Sequence, residues 1–288
     1  MQTAAQTQDL DATLPRERTD AVRALCAAQD PHNADHDVGP TLAFYQRRYV
    51  RPLADFRELT ADTVVADIGC GYGWLALAFA LATPARVIAV EPDAERVRTG
   101  RRVAELLGVA DRIDWRIGGI DDLPLRDREA DVVYCIEVLE HIRRDPRGPR
   151  ELCRVCDDLL VATTPNRWFP VVAHDTRLPF CHMLPRPLRR LYARLAGRLD
   201  REQGNLFWSP PALDRRLAGF RRVSGFLHYA SLDRYLETFP YYMPYDHGYW
   251  EHGPGGKKLL YYRLLAPLGG ASHYFLPNLA GVFRRERA

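Results

Sequence analysis

Residues 64–73 read VVADIGCGYG. An apolar run carries one acid, Asp67, and gives way to glycines at 69, 71 and 73; the apolar stretch WLALAFALAT (74–83) follows. That succession is a strand, a tight turn and a helix start. The glycines let the backbone turn sharply and let a ligand approach the main chain closely. Further along, RVIAVEP (86–92), IDWRIG (113–118), DVVYCI (131–136) and LLVATTP (159–165) read as strands. Helical patterns lie between them, at AERVRTGRRVAELLG (94–108) and at EVLEHI (137–142). Alternation of this kind predicts an α/β fold with a parallel sheet and right-handed crossovers.

After Asn166 the rhythm breaks. Residues 167–210 are rich in Pro, Arg and aromatics, with a helix expected in PRPLRRLYARLAGRL (185–199). PPALDRRLAGF (210–220) reads as a helix and RVSGFLHYA (222–230) as a short strand. A second irregular stretch, 232–272, ends in the basic helix KKLLYYRLLAPL (257–268), and NLAGVFRR (278–285) is the last strand. The expected organisation is a polar N-terminal arm over 1–40 and one α/β domain over 41–288. The insertions 167–210 and 232–272, after the fifth and sixth strands, are expected to form a substrate cap.

Composition narrows the class. The chain has 288 residues, 47% hydrophobic and 27% charged, with a net charge of +3, too small to argue nucleic-acid binding by itself. MQTAAQTQDLDATLPRERTD at the start lacks the apolar core of a secretory signal, and no stretch has the length of a membrane span. Six scattered cysteines fit a reducing compartment, so the expectation is a cytoplasmic protein. Cys153 and Cys156 form a lone CxxC inside an expected helix, RELCRVCDDLL, where packing is the expected role.

The glycine pattern separates two kinds of cofactor site. A dinucleotide fingerprint, G-x-G-x-x-G, needs glycine at 74, where this chain has Trp. The pattern D-x-G-x-G-x-G instead resembles motif I of the class I S-adenosylmethionine (SAM) methyltransferases. Glu91, ending the second strand, is placed to accept hydrogen bonds from a ribose diol. GGIDDLPL (118–125) resembles that family's segment bordering adenine, with Gly119 where an acid is common and Ile120 or Asp121 as substitutes. TLAFYQRRYV (41–50) is similar to the family's lid helix, where Tyr45 or Tyr49 would cover the cofactor.

This resemblance implies a Rossmann-like, seven-stranded sheet. It also implies a SAM site built from Tyr45, Asp67, Gly69, Cys70, Gly71, Gly73, Glu91, Pro92, Gly119, Ile120 and Ile136. If a helix begins at Glu137, then Glu137, Glu140 and His141 share one face. That face is either a metal grip or an ordinary solvated helix start. EVLEH resembles the E-x-L-E-H of ubiquinone-biosynthesis O-methyltransferases and the E-x-x-E-H of small-RNA terminal 2′-O-methyltransferases, both associated with a divalent metal. Their downstream histidine corresponds to His174 in AHDTRLPF (173–180). The implied metal set is Glu137, Glu140, His141 and His174, with Mg or a similar divalent ion. The implied catalytic set is His141, His174 and Glu140, a histidine serving as base if no metal binds.

The expected reaction is methyl transfer from SAM to an oxygen of a small-molecule acceptor. The alternatives are an RNA 2′-O-methyltransferase and a SAM-binding protein without turnover. PYYMPYDHGYW (240–250) packs five aromatics into eleven positions, suiting a ring-containing acceptor or simple core filling. Leu184, Leu188, Leu191, Leu195 and Leu199 recur at helical spacing among arginines, and KKLLYYRLLAPL repeats the theme. Basic amphipathic helices of this kind suit a lipid-linked acceptor and peripheral membrane contact, or the ordinary covering of a sheet.

Overall fold

The computed structural model describes residues 9–29, 37–142, 147–172, 176–201, 204–244 and 248–287. In chain order the main elements begin with α1 (Leu10–Thr13), α2 (Arg16–Gln29), α3 (Val38–Tyr45), a π-helical turn Gln46–Val50 and α4 (Arg51–Leu53). The core follows as β1 (Val64–Ile68), α5 (Trp74–Ala82), β2 (Arg86–Glu91), α6 (Ala94–Leu107), β3 (Ile113–Ile117), β4 (Ala130–Ile136), α7 (Arg147–Val155) and β5 (Cys156–Pro165). Last come α8 (Arg186–Leu195), α9 (Pro210–Arg216), β6 (Phe220–Arg222), α10 (Leu232–Leu236), β7 (Tyr241–Met243), β8 (Gly248–Trp250), α11 (Gly256–Leu265) and β9 (Asn278–Arg285).

Seven strands form one sheet in the order β3-β2-β1-β4-β5-β9-β6. The pairs from β3 through β5 are parallel, and β9 runs antiparallel between β5 and β6. The strand order reverses between β1 and β4, which is where an open α/β sheet offers its crevice. Side-chain alternation divides the core in two. Val65, Val132, Tyr134 and Val161 pack on the face covered by α5, and Ile68, Val133, Cys135 and Leu160 on the face covered by α7 and α9. WLALAFALA is apolar all round because α5 is buried almost throughout. In α6, Val97, Val103 and Leu107 are buried on one side, Asp93 caps the N-terminus and Gly108 closes the C-terminus in the left-handed conformation.

Four expectations need correction. Much of the N-terminal arm is docked structure. Leu10, Val22 and Cys26 lie in the core, Leu10 N donates to Gln46 Oε1, and Asp9 pairs with Arg47 and Arg51. The apolar faces of α1 and α2 are too dispersed among polar residues to show as a run. HNADHD falls mostly outside the described residues. Second, no helix starts at Glu137. Residues 137–142 form an irregular turn with Glu137 at φ 55° and His141 N bonded to Val138 O, and the next described helix is α7. Third, the CxxC is split, because Cys153 lies in the last turn of α7 and Cys156 opens β5. Burial pushes the Cys153 thiol up to about 11. Fourth, β6 stops at Arg222, and the chain then turns through a Phe226–Tyr229 bridge.

Segment 167–210 contains α8, and segment 232–272 contains α10, the β7–β8 hairpin and α11. No helix among the described residues is long and apolar enough to cross a membrane.

Candidate functional site

The glycine loop joins β1 to α5 at the carboxyl end of the sheet. Gly69, Gly71 and Gly73 all have positive φ, which an L-residue adopts only at a cost. Gly69 and Cys70 donate their N–H groups to Val90 O at 2.8 and 3.0 Å, binding the loop to β2. Two of the glycines are also sterically required. A Cβ at Gly73 would come within 2.2 Å of the Trp115 ring, and one at Gly69 within 2.5 Å of Val138 Cγ2. Gly71 is different: a Cβ there would meet nothing within 4 Å, and the same holds at Gly119 beyond β3. Open space therefore borders the main chain at both places the sequence assigns to the cofactor.

The acids around this space are set by the backbone. Glu91 Oε2 accepts from Gly71 N at 2.9 Å and Oε1 from Asp93 N at 3.3 Å, while Arg96 Nη1 stands 3.8 Å from Oε1. Gly118 N donates to the main-chain O of Glu91, tying the segment after β3 to the end of β2. Asp67 is buried, and its Oδ2 has no hydrogen-bond partner among the described residues. Burial pushes its carboxyl up to about 7, against a hydrogen bond from the Ala76 N–H and with a smaller push from Glu91. A carboxyl raised in the folded state favours folding most below the unfolded value near 3.8, and that contribution is gone once the pH rises past about 7. An ammonium group beside Oδ2 would supply both the missing partner and the missing charge. The chemistry of this donor set fits SAM, with an ammonium end, a ribose diol and an adenine edge to hold.

The remaining cofactor expectations are placed as follows. Cys70 lies in the loop, half-buried, with its thiol raised by burial. Pro92 is exposed after Glu91, and Ile136 ends β4 half-buried. Ile120 turns its side chain into the core. Tyr45 is half-buried and stacks on Tyr49 with ring centroids 6.0 Å apart.

On the acceptor side, the turn after β4 lies directly on the glycine loop through Val138. Glu137 Oε1 accepts from Thr163 Oγ1 at 2.7 Å, and Glu140 Oε2 from Thr164 Oγ1 at 2.9 Å. Glu140 is 1% exposed, whereas His141 is exposed. The two acids are thus pulled toward β5 while the histidine faces out, and the common helical face expected of a metal grip is not formed. Among the described residues no three His, Cys, Asp or Glu side chains converge as metal ligands. His174 lies outside the described residues. His182 is packed as expected of a structural histidine, bonded to Arg167 O and edge-on to Phe207.

One cluster was invisible in the sequence. His228 stacks on Tyr49 at 4.9 Å and donates from Nε2 to Arg48 O, Tyr134 Oη donates to Tyr49 O, and Arg48 Nη1 donates to Tyr241 Oη. These contacts lock the π-helical turn Gln46–Val50 over β4. Burial and the Arg48 charge hold the His228 imidazole down at about 3, so it is neutral at ordinary pH. No sequence spacing links residues 48, 134, 228 and 241. The Arg96 guanidinium lies 5.7 Å from the Tyr72 ring centroid beside Glu91, a pairing that no sequence spacing marks.

A family model described as "Methyltransferase domain" matches residues 65–158. A ubiquinone biosynthesis O-methyltransferase of Neisseria meningitidis is 31% identical over 126 residues, 43% of this chain and 48% of that protein. A sterol 24-C-methyltransferase of Eremothecium gossypii is 28% identical over 104 residues, 36% of this chain and 28% of that protein. The chain therefore spans between about a quarter and a half of the length of these relatives. In fold, a geranyl diphosphate methyltransferase solved with SAM superposes with a TM-score of 0.51 over 85% of this chain and 86% of that one, at 14% identity. Domain match, sheet order and glycine loop agree: residues 65–158 are similar to a methyltransferase domain, and the sheet is that of the class I, Rossmann-like methyltransferase fold.

Proposed function

We propose that the chain transfers the methyl group of SAM to an oxygen of a small-molecule acceptor. The observation that carries this reading is the contact between Val138 and Gly69, which sets the Glu137–His141 turn against the cofactor loop. Bound at that loop, SAM supplies an electrophilic methyl carbon on a sulfonium. Asp67 holds the ammonium end, Glu91 the ribose hydroxyls, and the main chain at Gly119 and Ile120 borders the adenine. Methyl transfer to oxygen is an in-line displacement, so the acceptor needs alignment and loss of its proton. His141, exposed on the turn, takes that proton at its imidazole. Glu140, buried and bonded to Thr164, is a positioning residue that fixes the turn. No step is assigned to a metal, because the described side chains do not fit a shared ligand set. The β7–β8 hairpin supports a ring-containing acceptor: Tyr241 and Tyr242 are buried, while Tyr249 and Trp250 are exposed.

The test uses SAM labelled on its methyl group, incubated with the chain and fractionated small-molecule and lipid extracts, with the product analysed by mass spectrometry. An oxygen-linked methyl is expected. Label on carbon or nitrogen removes the oxygen assignment, and binding without any transfer leaves a SAM-binding protein without turnover. Transfer to RNA instead would favour the 2′-O alternative. His141→Ala should lower turnover about 10²- to 10⁴-fold while S-adenosylhomocysteine binding stays unchanged. Unaltered turnover would remove His141 as the base.

A further inference from the structure

Two helices in the late insertions show apolar rows to solvent. On α8, Leu188, Leu191 and Leu195 lie on one face, and Leu195 is 79% exposed; Arg189 and Ala193 form the buried side. On α11 and the turn after it, Leu260, Leu264 and Leu268 form a second row, with Leu264 69% exposed and Tyr262 and Leu265 buried behind. An exposed leucine alone needs no explanation, but two rows of them do.

The charge around both rows has one sign. Neither α8 nor α11 contains an acidic residue. Arg186, Arg190 and Arg194 flank the first row, and Lys257 and Arg263 the second, all exposed. None of these five forms an ion pair with a described residue.

The two helices are anchored at neighbouring points on the carboxyl edge of the sheet. His182, just before α8, bonds to Arg167 O, while the Asn166 side chain donates to the carbonyls of His273, Tyr274 and Leu276, just after α11. Trp168, 52% exposed, packs on Tyr274, and Tyr261 Oη donates to the O of exposed Phe275. Asn166 and Arg167 directly follow β5, whose Thr163 and Thr164 hold Glu137 and Glu140. Both basic, apolar helices are therefore attached at the edge on which the acceptor side of the site lies.

We propose that α8 and α11 dock on an anionic lipid bilayer and that the acceptor is an amphiphile presented from it. The placement of the acceptor rests on the methyl-transfer reading above. Leucine rows suit the acyl boundary and the unpaired guanidinium and ammonium groups suit lipid phosphates. A second copy of the same face would bring like charges together, and a nucleic acid would leave the leucines uncovered.

The experiment is flotation of the full chain, without SAM, with vesicles of equal parts phosphatidylcholine and phosphatidylglycerol, and with phosphatidylcholine alone. Binding is expected to the anionic vesicles only, weakening at about 1 M salt, where charges are screened beyond about 3 Å. Leu188→Gln with Leu195→Gln, and separately Leu260→Gln with Leu264→Gln, should each weaken binding at least about tenfold. S-adenosylhomocysteine binding should persist in both, showing that the variants fold. Absence of binding to anionic vesicles overturns the proposal, as do variants that bind like the wild type. A vesicle-free dimer that the same substitutions dissociate would assign the face to a second copy instead. Because flotation needs no turnover, its failure is distinguishable from failure of the labelling test.

Discussion

Asp67 has the burial of a core residue and the chemistry of a ligand. Its carboxyl is raised to about 7, and one oxygen has no partner among the described residues. A cationic ligand group favours the ionised form, so cofactor binding releases a proton wherever the free protein still holds one. Affinity for S-adenosylhomocysteine, whose ammonium is the same, should therefore fall as the pH drops below about 7, approaching tenfold per pH unit. Asp67→Asn should bind weakly and with little pH dependence, as calorimetry across pH 5.5–8 would read, about the range in which the group titrates. A wild-type affinity that does not change over this range would mean that Asp67 meets no ammonium. Its place near the end of β1, two residues before the first glycine, was legible in the sequence, while an ammonium partner is what the resemblance implies. Glu91 was legible in the same way, because a strand end followed by Pro92 leaves little choice of position.

Between β4 and α7, the sequence misleads. EVLEHI has the i, i+3, i+4 spacing of a helix start, but Glu137 sits at φ 55° and residues 137–142 form no helix. Periodicity reports which side chains would share a face if the backbone were helical. It carries no signal for a single left-handed residue at the end of a strand. The partners that replace helix hydrogen bonds, Thr163 and Thr164, lie on the next strand and read as ordinary strand residues. Replacing Thr164 with Val should cost about 1–3 kcal/mol, because it removes a donor from a buried carboxylate. The same change at Thr163 should cost less, since Glu137 is only half-buried. Thermal unfolding of the two variants gives the order, and equal effects would contradict the burial difference. The glycine loop was legible because its constraint is local, whereas the His228–Tyr49–Tyr134 cluster joins residues far apart in the chain.

Across the whole molecule, the N-terminal segment changes from an expected polar arm to part of the packed body. Arg18 Nη1 reaches Leu107 O at the end of α6, and Asp9 pairs with Arg47 of the π-helical turn and Arg51 of α4. Deleting residues 1–29 should therefore destabilise the fold by several kcal/mol, at about 1.5–3 kcal/mol for each of Leu10 and Val22. It should also weaken cofactor binding by loosening α3 and the π-helical turn. Differential scanning calorimetry with and without S-adenosylhomocysteine tests both, and an unchanged melting temperature would restore the view of a dispensable arm.

The position of β9 has its own consequence. β9 is the last strand in the chain, yet it lies inside the sheet, pairing with β5 from Leu159↔Arg284 to Pro165↔Asn278 and with β6 on its other side. During synthesis, β5 therefore emerges more than a hundred residues before the strand that covers it. Throughout that interval the nascent sheet ends in an open, apolar edge, and β6 has no strand to join. A ribosome stalled before residue 278 would carry an adhesive intermediate, a natural client for a chaperone that recognises extended chain. The sheet closes only when its final eight residues reach the gap left for them.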